Sequence, residues 1–182
     1  MVEERVIKRR KEFISKLFTI WESDIRLEKG IVKWEQVSFN NVSKSVMIAP
    51  VDETGRIIFI RKFCPATNSY EVVLPGGKKE DDLSLKKTAE KELIEEIGIC
   101  SKKLTLLGPL KILPAYFNGI TFGFLAEELQ EKETEGGDEI ERIEKVRIPF
   151  RTALQMIKEN EITDVRSVAV TLFIATFYPD FL

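Results

Sequence analysis

The first forty residues contain two patterns of apolar and polar positions. Apolar residues at near-helical spacing, separated by charged residues, predict an amphipathic helix over residues 2–21 with a basic exposed face. These apolar residues are Val6, Phe13, Leu17 and Ile20. Around Gly30 the pattern changes to alternation, which predicts strands at residues 25–29 and 31–39. Residues 1–43 are therefore expected to form a separate helix-plus-strands extension, either a small subdomain or a dimer arm.

The rest of the chain alternates between strand patterns and helix patterns. Strands are predicted at residues 45–50, 56–63, 70–74, 104–113, 119–126 and 143–148. Helices are predicted from Ser84 to Ile97, where Gly98 ends the helix, from Pro149 to Ile157, and from Val165 to Tyr178. The acidic stretch from Glu127 to Asp138, closed by two glycines, is interpreted as a mobile loop.

Composition excludes several classes of protein. The chain has 182 residues, 43% of them hydrophobic and 32% charged, with a net charge of -2, as expected of a globular protein with a real core. It contains no histidine, which excludes histidine-based triads, HExxH zinc sites and imidazole general bases. Any chemistry must therefore depend on carboxylates, lysines, hydroxyls or a metal ion.

The same sequence predicts where the protein works and what it does not bind. The apolar run Val168–Phe177 is too short to cross a bilayer, and the amino terminus is charged, so we expect neither a membrane anchor nor a secretion signal. Cys64 and Cys100 form no metal-spaced or redox pair, which favours a reducing cytoplasm. Basic residues are scattered without interleaved aromatics, so no nucleic-acid partner is predicted.

The predicted helix at Ser84–Ile97 carries a cluster of acids. Glu92, Glu95 and Glu96 project within an arc of roughly 100°, beside the apolar stripe of the helix. Like charges at this spacing disfavour a helix, whereas a divalent cation such as Mg²⁺, which prefers oxygen ligands, would stabilise the cluster. The ordinary alternative is a solvated acidic face, and the acids alone leave both interpretations open.

The segment around this helix resembles the Nudix box. The box pattern is Gly, five residues, Glu, seven residues, then Arg-Glu-aliphatic-any-Glu-Glu-any-Gly-aliphatic. The matching residues are Gly77, Glu92, Leu93, Glu95, Glu96, Gly98 and Ile99. Leu83 stands where the first glutamate belongs, and Lys91 stands where the arginine belongs. In the family those two positions form a salt-bridged brace for the loop, so this chain is expected to lack the pair without leaving either charge alone.

The resemblance implies a Nudix hydrolase domain over residues 44–182. Its fold class is α+β, with a mixed β-sheet between helices in an α/β/α arrangement. The resemblance further implies Mg²⁺ as cofactor, with Mn²⁺ as an alternative, and Glu92 and Glu96 as the main ligands. The carbonyl of Gly76 and the carboxylate of Glu95 would assist, and Glu95 is also a candidate catalytic residue.

The layout beyond residue 24 is similar to the ADP-ribose pyrophosphatase branch of the family. In that branch an acid in a late loop acts as base or ligand, so Glu139 is nominated as the general base and Glu141 as a further ligand, with the order of roles open. An ordinary solvated loop is the alternative. The candidate substrate-binding residues are Arg61 and Lys62 for phosphate and Tyr116 and Phe117 for stacking on a base.

The implied reaction is Mg²⁺-dependent cleavage of a nucleoside diphosphate derivative, foremost ADP-ribose to AMP and ribose 5-phosphate. Lys62, Phe63 and Cys64 depart from the branch's glutamine, aromatic and arginine, and Val73 departs from its glutamate, so other substrates stay open. The alternatives are another nucleotide sugar or a dinucleoside polyphosphate, a non-catalytic nucleotide-binding module, and a mainly structural protein that binds a partner through its basic first helix. Family analogy also implies a homodimer.

Overall fold

The computed structural model describes residues 3–40, 43–132 and 143–181. The chain splits into two compact units: Met1–Lys44 with Lys111–Ile120, and Ser45–Leu110 with Thr121–Leu182. The described elements are β1 (Arg5–Ile14), β2 (Phe18–Leu27), β3 (Gly30–Phe39), β4 (Lys44–Pro50), β5 (Arg56–Cys64), β6 (Ser69–Val73), α1 (Leu85–Ile97), β7 (Ile99–Lys111), β8 (Ile120–Glu131), β9 (Glu144–Pro149), α2 (Phe150–Lys158), α3 (Val165–Phe177) and a 3₁₀ turn (Pro179–Phe181).

The first unit contains an antiparallel sheet in the order β1-β2-β3, so the prediction of a helix over residues 2–21 is wrong. The apolar residues of the supposed helix do not form a buried stripe, since Phe13 is 58% exposed. The charges between them pair across strands instead: Glu22 on β2 contacts Arg10 on β1 and lies 3.0 Å from Lys33 on β3. Such pairing joins residues distant in sequence and is invisible to a local periodicity.

The segment Lys111–Ile120 belongs to the first unit and is held there by aromatic residues and backbone hydrogen bonds. The amide of Val37 donates to the carbonyl of Tyr116 at 2.7 Å. The indole nitrogen of Trp34 donates to the carbonyl of Ala115 at 2.8 Å, and its ring stacks on Tyr116 with centroids 5.4 Å apart. These contacts attach the segment to β3.

The second unit has the predicted α/β/α arrangement. Its strands form two three-stranded sheets, in the orders β4-β8-β7 and β6-β5-β9. Alternate residues of β4 point to opposite faces: Val46 and Ile48 belong to the apolar core that includes α1, whereas Met47 and Ala49 belong to the core that includes α2 and α3. The strands therefore lie between helices on both faces, and the predicted fold class is confirmed.

Two local predictions around the helices have different outcomes. α1 begins after Ser84, whose hydroxyl accepts from the amide of Lys87, and ends at Gly98 with φ of 65°, as the sequence predicts. The loop predicted over residues 127–138 is wrong at its start, because β8 continues to Glu131, and the predicted loop from residue 133 onward lies outside the described residues. Two acids at the end of β8 form ion pairs: Glu127 lies 2.8 Å from Lys103 on β7, and Glu131 pairs with Lys145 on β9.

The described helices include none with the length and apolar character that a membrane span requires.

Ser167 at the start of α3 ties that helix to the end of β6. Its hydroxyl is fully buried, accepts from the amide of Leu74 at 2.9 Å and donates to Asp164 at 2.8 Å. Burial disfavours ionisation of Asp164, but the charge of Arg166 and the hydrogen bonds from Ser167 outweigh it and hold the pKa of Asp164 below its ordinary value. This junction fixes the position of Leu74, which precedes the loop Pro75-Gly76-Gly77.

We expect Ser167→Ala to lower the free energy of unfolding by roughly 1–3 kcal/mol, because it leaves the Leu74 amide buried without its acceptor. Thr176→Ala on the same helix is the control, since the exposed Thr176 hydroxyl donates only to its own helix, at Leu172. Chemical denaturation of the two variants measures the difference. Equal stability of both variants would contradict the role given to Ser167.

Candidate active site

The glycine loop after β6 is fixed to strand β4 by backbone hydrogen bonds. The amide of Ile48 donates to the carbonyl of Pro75 at 2.8 Å, and the amide of Val46 donates to the carbonyl of Gly77 at 2.9 Å. The loop therefore runs along the first half of β4, on which α1 also packs through the same apolar core. This arrangement brings the backbone of Gly76 and Gly77 against the acidic edge of the helix.

Glu96 is the buried acid of this edge. Its side chain is only 2% exposed, and its Oε2 atom accepts from the amide of Gly76 at 2.6 Å. Its other oxygen, Oε1, lies 3.5 Å from the ammonium nitrogen of Lys62 on β5. A buried carboxylate needs such partners, because desolvation otherwise disfavours its charge. Loop, helix and strand therefore meet at one carboxylate.

Glu92 lies one helical turn earlier and contacts the loop at Gly77. A Cβ atom built on Gly77 would overlap the Glu92 carboxylate, with Oε2 2.5 Å away and the other carboxylate atoms closer still. A Cβ atom on Gly76 would instead overlap the carbonyl oxygen of Val46 and lie 3.0 Å from Met47 Cα. The two glycines thus have different roles: Gly76 permits close approach to β4, and Gly77 leaves space for a carboxylate.

Glu95 does not join these two acids. It is exposed, and its carboxylate lies 3.6 Å from Lys91, one turn back on the helix. Lys91 also forms an ion pair with Glu80 in the loop, and this hydrogen bond is the largest cause that raises the Lys91 pKa above its ordinary value. The sequence places the three acids on one arc, but the side chain of Glu95 is directed to Lys91.

The NUDIX domain sequence model matches residues 42–170, more than half of the chain. The chain belongs to the Nudix family. ADP compounds hydrolase NudE of Escherichia coli (strain K12) is 29% identical over 161 residues, 88% of this chain and 85% of that protein. ADP-ribose pyrophosphatase of Bacillus subtilis (strain 168) is 28% identical over 167 residues, 91% and 89% of the two chains. A crystal structure titled as an ADP compounds hydrolase matches with a TM-score of 0.86 at 24% identity, covers 99% of this chain and 96% of that chain, and shows the same fold.

The Nudix box of this protein keeps a brace between its loop and its helix, but with a different acid. Leu83 and Lys91 occupy the two positions where the family pattern has a glutamate and an arginine. The expectation that the pair is simply absent is wrong, because Lys91 pairs with Glu80. Sequence comparison with the box cannot find this partner, since Glu80 lies outside the fixed positions. The sequence shows three adjacent acids before Leu83, namely Glu80, Asp81 and Asp82, and does not distinguish among them.

We expect Lys91→Met to weaken both Mn²⁺ binding and catalysis modestly, because the loop loses its ionic link to α1. The double variant with Glu80→Gln should be no worse than Lys91→Met alone, since one interaction is removed in either case. The loss should shrink at high salt, which screens an exposed pair. Lys86→Met, an exposed lysine on the same helix, is the control for charge alone. Additive losses in the double variant would contradict the brace.

The described donors fit a hard divalent cation. Nowhere in residues 3–40, 43–132 and 143–181 do three or more acidic or cysteine side chains gather closely enough to hold a metal ion. Glu92 and Glu96 nevertheless both contact the glycine loop. Because Gly77 has no side chain, the space beside it holds the Glu92 carboxylate. Two carboxylates with backbone oxygens suit Mg²⁺, which keeps several waters and takes further ligands from substrate phosphates. Glu139 and Glu141 lie outside the described residues.

The candidate substrate-binding residues are not all near these acids. Lys62 faces Glu96, but Arg61, its neighbour on β5, points to the other face of the strand. There the Arg61 guanidinium lies 4.4 Å from the centroid of the Tyr70 ring and 3.5 Å from Glu144. Tyr116 and Phe117 belong to the first unit, where they pack on Trp34 and Phe39. Only Lys62 is therefore placed beside the acidic edge within the second unit.

Proposed function

We propose that this protein is a Nudix pyrophosphatase that hydrolyses the diphosphate bond of an ADP compound, foremost ADP-ribose to AMP and ribose 5-phosphate. The observation that carries the proposal is the contact of the Gly76–Gly77 loop with the carboxylates of Glu96 and Glu92. The names of the two relatives, an ADP compounds hydrolase and an ADP-ribose pyrophosphatase, support this substrate class.

Each described residue has a role that follows from its surroundings. Glu92 and Glu96 would hold Mg²⁺ or Mn²⁺, with the Gly76 carbonyl and Glu95 as further oxygen donors. A cation held there would neutralise charge on the diphosphate and lower the pKa of a bound water. Glu95 is exposed and tethered only by Lys91, so its carboxylate can turn toward the loop. Lys62 supplies a positive charge for the phosphate oxygens beside Glu96.

The remaining assignments extend the proposal beyond the described site. Glu139 would take the proton of the attacking water and Glu141 would add a ligand, because both follow the end of β8 in the chain. Tyr116 and Phe117 remain the candidates for stacking on the base. Arg61 is not assigned to a phosphate of this site, because it points to the opposite face of β5 from Lys62. A homodimer formed with residues before Ser43 is likewise proposed, and the mass of the protein in solution checks it.

The test is product analysis with a panel of substrates. ADP-ribose, a nucleotide sugar and a dinucleoside polyphosphate are each incubated with the full chain and Mg²⁺, and the products are separated by chromatography. We expect AMP and ribose 5-phosphate from ADP-ribose, and no product after a chelator removes the cation. Faster cleavage of another panel member would change the assigned substrate but support the proposed reaction. No cleavage of any member would contradict the proposed pyrophosphatase activity.

A second candidate, a nucleotide-binding module without turnover, is favoured by one observation: Leu83 and Lys91 depart from the box. The Glu80–Lys91 pair weakens it, because the loop keeps an ionic link to the helix despite both changes. Calorimetry with ADP-ribose separates the candidates. Binding with unchanged nucleotide recovered at the end would support the module and contradict the pyrophosphatase.

A further inference from the structure

Lys62 is a cation that faces the buried carboxylate of the site. Its ammonium lies 3.5 Å from Glu96 Oε1, while Glu96 Oε2 accepts from the Gly76 amide. The Lys62 side chain is 30% exposed, so its head group reaches both the buried carboxylate and the solvent. It extends from β5 on the face that packs against α1, the face to which Ile58 and Ile60 also belong.

Three other cations around α1 have different partners. Lys91 pairs with Glu80 and Glu95 on the exposed side of the helix. Lys145 donates to the carbonyl of Ile97 at the end of α1 and pairs with Glu131. Arg61 lies on the opposite face of β5 and pairs with Glu144. Among these four cations, only Lys62 is paired with Glu96.

The Lys62 ammonium and a divalent metal ion repel each other when both lie at the Glu96 carboxylate. The charge of Lys62 stabilises buried Glu96 when no metal ion is bound, because an isolated buried charge is strongly disfavoured. A metal ion bound by Glu96 would be repelled by this ammonium and would compete with it for the charge of the carboxylate. An interaction that stabilises only the metal-free protein makes the apparent free energy of metal binding less favourable by the same amount.

We propose that Lys62 is a built-in competitor of the divalent cation: it neutralises Glu96 in the metal-free protein and gives up this contact when the metal binds. The released ammonium then pairs with the phosphate oxygens of the substrate. This inference rests on the proposed function. Lys62 would then have two opposite effects. It weakens metal binding in the absence of substrate, and it strengthens substrate binding in the presence of metal.

The experiment measures Mn²⁺ binding to the full chain without substrate, by electron paramagnetic resonance of the free ion. We expect Lys62→Met to bind Mn²⁺ about fivefold more tightly or better. Lys62→Gln, which keeps a polar head without charge, should shift in the same direction. Lys145→Met is the matched control: it removes a lysine of similar exposure, 28%, that also contacts α1 but pairs with Glu131. Its Mn²⁺ affinity should stay near that of the unaltered protein.

Two further readouts separate this role from a purely structural one. Lys62→Met should lower the Tm of the metal-free protein, and the difference should diminish when Mn²⁺ is saturating, because only the metal-free state uses the ammonium as counterion. Its KM for ADP-ribose should rise while its Mn²⁺ requirement falls. A structural defect would worsen both quantities together.

The outcomes distinguish the two levels of the hypothesis. Mn²⁺ binding that is unchanged or weaker in both Lys62 variants, alongside normal binding by the unaltered protein, would overturn the competition and leave the pyrophosphatase intact. A gain of affinity in Lys145→Met equal to that in Lys62→Met would also overturn it, because general charge would then explain the effect. No Mn²⁺ binding by the unaltered protein would overturn the proposed function, and this inference with it.

Discussion

Glu96→Gln is expected to lower kcat/KM for ADP-ribose by about 10²–10³-fold, the loss that corresponds to several kcal/mol of transition-state stabilisation from a bound metal ion. The substitution keeps the size of the side chain but removes the charge at the point where loop, helix and strand meet. An amide oxygen can still accept from the Gly76 amide, so the loop should stay in place. Its NH₂ group would then face the Lys62 ammonium, two donors without an acceptor between them.

The comparison with Glu90→Gln makes the result specific to the site. Glu90 lies on the same helix but outside the matched positions of the Nudix box, so the same chemical change there should leave kcat/KM almost unaltered. Steady-state kinetics at saturating Mg²⁺ and thermal unfolding of both variants are measured together. If Glu96→Gln keeps nearly full activity at an unchanged Mg²⁺ requirement, Glu96 does not hold the cation and the proposed site is wrong.

Gly77→Ala is expected to lower metal affinity and activity by about 10–100-fold, the usual cost of disturbing a residue that orients a metal ligand. The new methyl group would occupy the space of the Glu92 carboxylate. That carboxylate is the end of a flexible side chain, so it can move and the protein can still fold. Catalysis would suffer because the displaced group is a proposed ligand, whereas the Tm should change little.

Gly76→Ala should instead lower the Tm as well as metal binding, because Gly76 is a proposed ligand and its amide donates to Glu96. Its methyl group would meet the backbone of Val46 and Met47, which cannot move without disturbing strand β4. Overpacking of this kind costs roughly 1–3 kcal/mol of stability. Thermal unfolding, Mn²⁺ binding and kcat/KM of the two variants separate these effects. A large fall in Tm for Gly77→Ala with normal Mn²⁺ binding would contradict the role assigned to the space beside Gly77.

The helix of the site could be predicted because its signals are local. Ser84 and Gly98 are cap residues whose hydrogen bonds lie within a few residues, and the apolar stripe from Leu85 to Ile97 matches the helical period. The order of strand, glycine loop and acidic helix was sufficient to identify the family. The same local reasoning failed at residues 2–21, where the charges pair across three strands rather than along one helix.

The sequence by itself determined the Nudix box, the position of its acids on one helix and the exclusion of histidine chemistry, because each depends on residue types at fixed short spacings. Only the tertiary structure decided which acid is buried, that Glu95 turns to Lys91, that Glu80 replaces the missing brace residue, and that Lys62 rather than Arg61 faces the site. β5 and the glycine loop both pack on α1. This packing decides which side chains come together. Contacts between residues 11 and 34 positions apart, such as Glu80 with Lys91 and Lys62 with Glu96, have no signature in local sequence patterns.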